Sequence, residues 1–184
     1  SPDSLFGDNI KTRNSIIIFS KNKNQKSIFT TKLMRWHSKN RMKLFDKINY
    51  QNLGKLSIKK AIPKISTSLE LETIIKLEKM DKINKMLRLV SQTNNHNTKN
   101  CIYFYNTAYN WISVFMQIPN SFDDKQEIVP SSLNGIECND KNEAKILYSI
   151  LNSKLVYWYW VVWGDGFHVT SDFIKRIPVP FTTF

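Results

Sequence analysis

Lys141–Pro180 reads KNEAKILYSILNSKLVYWYWVVWGDGFHVTSDFIKRIPVP, and the fold turns on how this stretch is read. Asp140 stands before it as a helix N-cap, and Glu143 is spaced to reach back as a capping box. Ala144, Leu147, Leu151, Leu155 and Trp158 recur at the three- and four-residue spacing of one helical face. Ile150, Val156, Tyr157, Trp160 and Val161 widen that face until the C-terminal half is apolar nearly all round. Such a pattern predicts one long helix buried on most sides, with other elements packed around it. Gly164 and Gly166 end the helix and leave Asp165 and His168 on an exposed turn. Ser171 or Asp172 then caps a short helix that Pro178 and Pro180 stop. For packing alone, the stretch is a core helix followed by a polar loop.

Working outward, strands are expected at Cys101–Asn106 and Trp111–Ile118, with Thr107 to Asn110 as the turn between them, and again at Gly135–Cys138. The polar run SQTNNHNTKN (91–100) reads as a surface loop or junction, with His96 simply a loop residue. Before it, Ser68 would cap a helix from Leu69 to Val90, with Glu70 and Glu72 in the first turn, where the helix dipole favours negative charge. Glu78 with Lys82 and Asp81 with Lys85 fall at ion-pair spacing on that helix. Near the start, NSIIIFS (14–20) and the segment 26–32 are β-branched and aromatic runs joined by KNKNQ, which predicts a β-hairpin. The fold class is α+β.

Charge is distributed unevenly. Residues 1–100 carry 21 Lys and Arg against 7 Asp and Glu, whereas residues 101–184 carry 6 against 8 but hold 17 of the 23 aromatic side chains. A basic half joined to an aromatic-rich half suits a polyanion with some surface left for base contact. AT-rich coding, which favours Lys, Asn and Ile, would produce the same excess. Arg35, His37, Lys39, Arg41 and Lys43 alternate with Trp36 and Met42, dense enough to form an anion-binding surface with Trp36 available to stack. A solvated basic turn with Trp36 tucked into the core is the alternative.

Other chemistry is thinly represented. Cys101 and Cys138 are far apart without metal-ligand spacing, and reduced thiols are the default. The longest apolar run, Leu155 to Trp163, is too short to span a bilayer, so a cytoplasmic setting without membrane is expected. His37, His96 and His168 lack zinc spacing, and Asp123, Asp124 and Glu127 read as a solvated acidic loop rather than a nuclease metal site.

The order LNSKLVYWYW, then GDGFHVT, then a short helix ending in IPVP resembles the C-terminal specificity region of Taq-type adenine DNA methyltransferases and the fused restriction–modification enzymes related to them. SPDSLF ahead of the Arg13 strand, and FTTKLMRWHSKNRMKLF after it, resemble the last strands of the same family's catalytic domain; IYFYNTAYNW and PSSLNGIECNDKNEAK fit the outline between. The resemblance implies the end of a catalytic domain over residues 1–66, including the hairpin as its remnant, a linking helix and loop over 67–99, and a target-recognition domain over 100–184. The Asn-Pro-Pro-Tyr type loop and the glycine-rich cofactor turn of that family do not occur in this chain. No catalytic, cofactor-binding or metal residue is therefore assigned here, and S-adenosylmethionine belongs to the complete enzyme.

The expected function is sequence-specific recognition of double-stranded DNA, delivering an adenine to a catalytic methyltransferase domain of the same protein. Arg35, His37 and Arg41 are expected to hold the phosphate backbone, Tyr109, Trp111, Asp165 and His168 to reach a groove, and Arg13 to lie close to the catalytic cleft. Two other classes compete: a protein-interaction module docking through its aromatic helix, and a general RNA-binding domain.

Overall fold

A computed structural model describes residues 15–18, 21, 27–54, 56, 61–83, 88–90, 100–124, 126–128 and 130–180. The chain divides into two units, Ser1–Ile74 and Ile75–Phe184. Together they form a mixed α+β protein of small antiparallel sheets and four α-helices.

In the first unit, β1 (Phe29–Thr30) pairs antiparallel with β2 (Gln51–Asn52), and the ladder continues where the Leu53 amide donates to the Ile28 carbonyl at 2.9 Å. Between these strands lie two 3-10 turns, Ser38–Lys43 and Phe45–Lys47. Leu53 and Ile65 are fully buried, and the Thr30 hydroxyl donates to the Pro63 carbonyl at 2.8 Å. The expected hairpin between residues 14–20 and 26–32 is not seen among the described residues. Residues 15–18 are irregular and exposed, and Phe29–Thr30 pairs with Gln51–Asn52 instead. A β-branched run specifies extended backbone but not its partner, and the longer-range pairing prevails.

Helix α1 (Ser68–Glu78) is shorter than expected and is capped one residue earlier. The Thr67 hydroxyl accepts from the Glu70 amide at 3.3 Å, and the Glu70 carboxylate accepts from the Thr67 amide at 3.0 Å and the Ser66 amide at 2.8 Å. That is a capping box on Thr67, not a cap by Ser68. The helix does not continue to Val90. β3 (Asp81–Lys82) follows it, and β4 (Arg88–Val90) joins the main sheet. Helical spacing over 69–90 is overridden because sheet pairing holds Asp81–Lys82 and Arg88–Val90 in extended backbone, while Ile83 is buried in the core. Lys82 still serves the helix: its ammonium donates to the Leu77 carbonyl at 3.0 Å, where the helix end is negative.

The second unit is built on a four-stranded antiparallel sheet. Its strands are β4, β5 (Cys101–Tyr105), β6 (Val114–Phe115) and β9 (Leu133–Glu137), in the order β4-β9-β5-β6. The strand expected over 111–118 shrinks to β6, with Tyr103 opposite Phe115. β7 (Ser121–Asp123) and β8 (Gln126–Ile128) form a separate hairpin that turns at Asp124. Alternation along β5 sends Ile102 and Phe104 to one face and Cys101 and Tyr103 to the other, and both faces are covered.

The first of these faces meets the helices. The long helix expected over 141–163 is two: α2 (Lys141–Leu151) and α3 (Lys154–Trp163). Asp140 caps α2 as expected, accepting from the amides of Asn142 and Glu143 at 2.7 and 2.9 Å, but Glu143 reaches back to Asn139 rather than to the cap itself. The break comes from Ser153, whose hydroxyl accepts from the Val156 amide at 3.2 Å and so starts a new helix. Trp160 is fully buried among Ile102, Phe104, Leu147 and Ile174, and Trp158 and Trp163 pack half-buried against the same core. A third helix on this face, α4 (Ser171–Lys175), is capped by Thr170 rather than Ser171 or Asp172, because the Thr170 hydroxyl accepts from Phe173 at 3.1 Å. Finally β10 (Pro178–Val179) pairs with β3, Pro178 opposite Lys82. None of the helices among the described residues is long and apolar enough to cross a membrane.

Candidate functional site

Helix α3 ends at Gly164, where the Gly164 amide donates to the Trp160 carbonyl at 2.7 Å. A Cβ at this position would lie 2.7 Å from that same oxygen and 3.0 Å from the indole, so only glycine lets the chain leave here. Asp165 then organises the loop. One carboxylate oxygen accepts from the amides of Phe167 and His168, both at 2.7 Å, and the other takes the His168 ring through Nδ1. Gly166 sits at φ 77°, inside that turn, where a side chain would be strained.

The loop is stitched to the turn between β5 and β6. Ala108 donates to the Phe167 carbonyl and Val169 to the Asn106 carbonyl, each at 2.8 Å, and Thr107 pairs with His168 as an isolated antiparallel bridge. Beneath it, the Trp160 indole N–H donates to the His168 carbonyl at 2.8 Å. Four residues expected to reach a groove are thereby brought to one place: Tyr109 and Trp111 on the turn, Asp165 and His168 on the loop.

Two aromatic residues complete the surface. Tyr109 meets Phe167 edge-on, ring centroids 5.3 Å apart, and Phe167 meets His168 edge-on at 4.8 Å. Trp111 stacks on Tyr157 at 5.5 Å with the planes 18° apart, and the Tyr157 hydroxyl donates to the Tyr109 carbonyl at 3.2 Å. Tyr109 is 65% exposed, Trp111 38% and Phe167 36%. Phe167 and Tyr157 are absent from the candidates drawn from sequence. Phe167 lies between two polar candidates in GDGFH, and Tyr157 is hidden among the apolar residues of the helix.

Electrostatically the patch holds a polar pair. Partial burial acts to raise the Asp165 carboxyl, but the His168 ring and the two loop amides outweigh it and hold the group below its ordinary value of 3.8. The pair stays open to water, with side chains 52% and 56% exposed. The arrangement can present ring edges and faces to a planar ligand, and a fixed imidazole to a hydrogen-bonding partner.

The remaining candidates belong to the first unit. Arg35 and His37 are exposed, Arg41 lies within the 3-10 turn Ser38–Lys43, and Arg13 falls outside the described residues. Trp36 is half-buried, with its indole nitrogen shielded and without a hydrogen-bond partner. Asp123 and Asp124 are exposed at the tip of the β7–β8 hairpin, and no group of three metal-ligating side chains occurs among the described residues.

Compared with protein-family models, with curated proteins and with solved structures, the chain matches none.

Proposed function

We propose that this chain is the DNA-recognition part of an adenine-specific methyltransferase of a restriction–modification system, its catalytic motifs and S-adenosylmethionine site lying on another segment of the same protein. The observation that carries the reading is the joining of two distant segments, 109–111 and 165–168, into one exposed surface of aromatic rings and a polar pair. Such a surface suits nucleic acid: every base has a face that stacks on an aromatic ring, and edges in the groove are read by hydrogen bonds. Arg35, His37 and Arg41, with the lysines around them, supply the phosphate-holding charge this reading requires. Ile16, Ile17, Ile18, Phe29 and Phe45 of the first unit are exposed, which suits packing against a catalytic domain. A cytoplasmic setting follows from the same reading.

Docking to a partner through the aromatic helix draws less support, since Trp160 is fully buried and Trp158 and Trp163 pack against the core. The decisive experiment titrates the chain against a fluorescent random-sequence duplex from 50 to 300 mM salt, with single-stranded RNA as competitor. Log affinity falling linearly with log salt, with duplex preferred over RNA, is the expected result. Affinity insensitive to salt would remove the phosphate contacts, and preference for RNA would move the chain to the RNA-binding class.

A further inference from the structure

Resting on that DNA-binding reading, we infer that His168 is a base-reading residue whose hydrogen-bonding sense is set by Asp165, so that it selects a base presenting an amino group in the major groove, adenine or cytosine. A neutral imidazole has one nitrogen that donates and one that accepts, and the partner of either fixes the other. Here the partner of Nδ1 is a carboxylate already accepting from the amides of Phe167 and His168. An acceptor-only group requires the Nδ1 proton, which in the neutral ring leaves Nε2 with a bare lone pair. No described residue engages Nε2, and the side chain is 56% exposed.

The ring is also firmly mounted. The His168 carbonyl accepts from the buried Trp160 indole, its backbone bridges to Thr107, and the Phe167 ring abuts the imidazole edge-on. A reading group needs that kind of support to discriminate between bases. In the major groove the hydrogen-bond donors are adenine N6 and cytosine N4, while guanine and thymine offer acceptors at the equivalent edge. A lone-pair-bearing Nε2 therefore favours the amino bases and meets guanine O6 or thymine O4 as two acceptors face to face.

Replacing the carboxylate by a carboxamide inverts this logic. In Asp165→Asn the side-chain oxygen still accepts from the two loop amides, but its NH2 now donates to Nδ1. The ring proton then moves to Nε2, turning the reading group from acceptor to donor.

The test selects from a library of random-sequence duplexes with the full chain, using wild type, Asp165→Asn and His168→Ala, and sequences the bound pool. Wild type is expected to enrich a motif with one position restricted to adenine or cytosine. His168→Ala should make that position alone degenerate, a loss of about tenfold in preference, and Asp165→Asn should turn it over to guanine or thymine. Thermal melting of each variant, and an unchanged salt dependence, show that fold and phosphate contacts persist. Variants that enrich the wild-type motif unaltered would overturn the assignment of His168 while leaving DNA recognition in place. Salt-sensitive binding without any enriched motif would also overturn it, and no duplex binding by wild type would overturn the broader reading as well.

Discussion

The indole nitrogen of Trp160 donates to the main-chain carbonyl of His168 at 2.8 Å. A fully buried ring thus holds the backbone of an exposed loop, and core packing and loop position become one problem. Trp160→Phe keeps an aromatic ring but empties part of its site and strips the carbonyl of its donor. We expect a loss of about 2–4 kcal/mol in urea unfolding, with duplex affinity falling as the loop loosens. A variant that melts like wild type would show that the hydrogen bond and the packing around it contribute little.

At Gly164 the obstacle to a side chain is backbone, not a movable group, since a Cβ would stand 2.7 Å from the Trp160 carbonyl. Gly164→Ala must push the end of α3 or the loop aside, at a cost of about 1–3 kcal/mol. Chemical denaturation of the two proteins side by side measures it.

Tyr109→Ala and Arg35→Ala should separate stacking from charge. Tyr109 is 65% exposed, so its truncation should change stability by less than about 0.5 kcal/mol while lowering duplex affinity about tenfold. Its salt dependence should be that of wild type. Arg35→Ala should weaken binding to all sequences alike and reduce the salt slope by about 1. Anisotropy titrations at four salt concentrations distinguish the two patterns, and equal behaviour of both variants would count against the division of labour.

Alkali should unfold the second unit in a defined window. Burial first, then the charge of Glu143 and weaker contributions from Cys101, Asp140 and Glu137, push the Cys138 thiol up from 9.0 to about 12. Burial, then the charge and hydrogen bond of Glu78, raise Tyr159 above its ordinary 10.0. Both groups stay protonated in the fold after the unfolded chain has begun to lose its protons. Their stabilisation is therefore complete below about pH 9 and drains away as pH climbs toward the folded values. Melting temperature should fall above pH 9, less steeply in Cys138→Ala, and both cysteines should resist a thiol reagent until denaturant is added. Asp165 works in the opposite sense: its contribution is present above 3.8 and fades as pH drops through the lower folded value. Exposure keeps that acid limb shallow.

Much of the second unit was legible in sequence. The cap at Asp140, the strands at 101 and 135, and the exposed turn carrying Asp165 and His168 all rest on local signals, either hydrogen bonds within four residues or period-two alternation. What sequence concealed was non-local. Lys82 and Ile83 sit in a helical pattern, yet their backbone is claimed by Pro178 and Ile177 nearly a hundred residues on. Ser153 carried a usable cap signal, but the continuous apolar face masked it. Phe167 joined the site only because the Ala108 amide found its carbonyl, a contact that no spacing announces.

The pairing of β3 with β10 places the strand that follows α1 beside the strand that follows α4. Ile83 and Ile177, nearly a hundred residues apart in sequence, are thereby brought side by side, the Ile83 amide donating to the Ile177 carbonyl at 3.2 Å. Exchanging the intervening span therefore means matching more than that seam, because Leu77 and Val179 share the core of Trp160 and Phe173 and Glu78 accepts the Tyr159 hydroxyl at 2.9 Å, all three from outside the span.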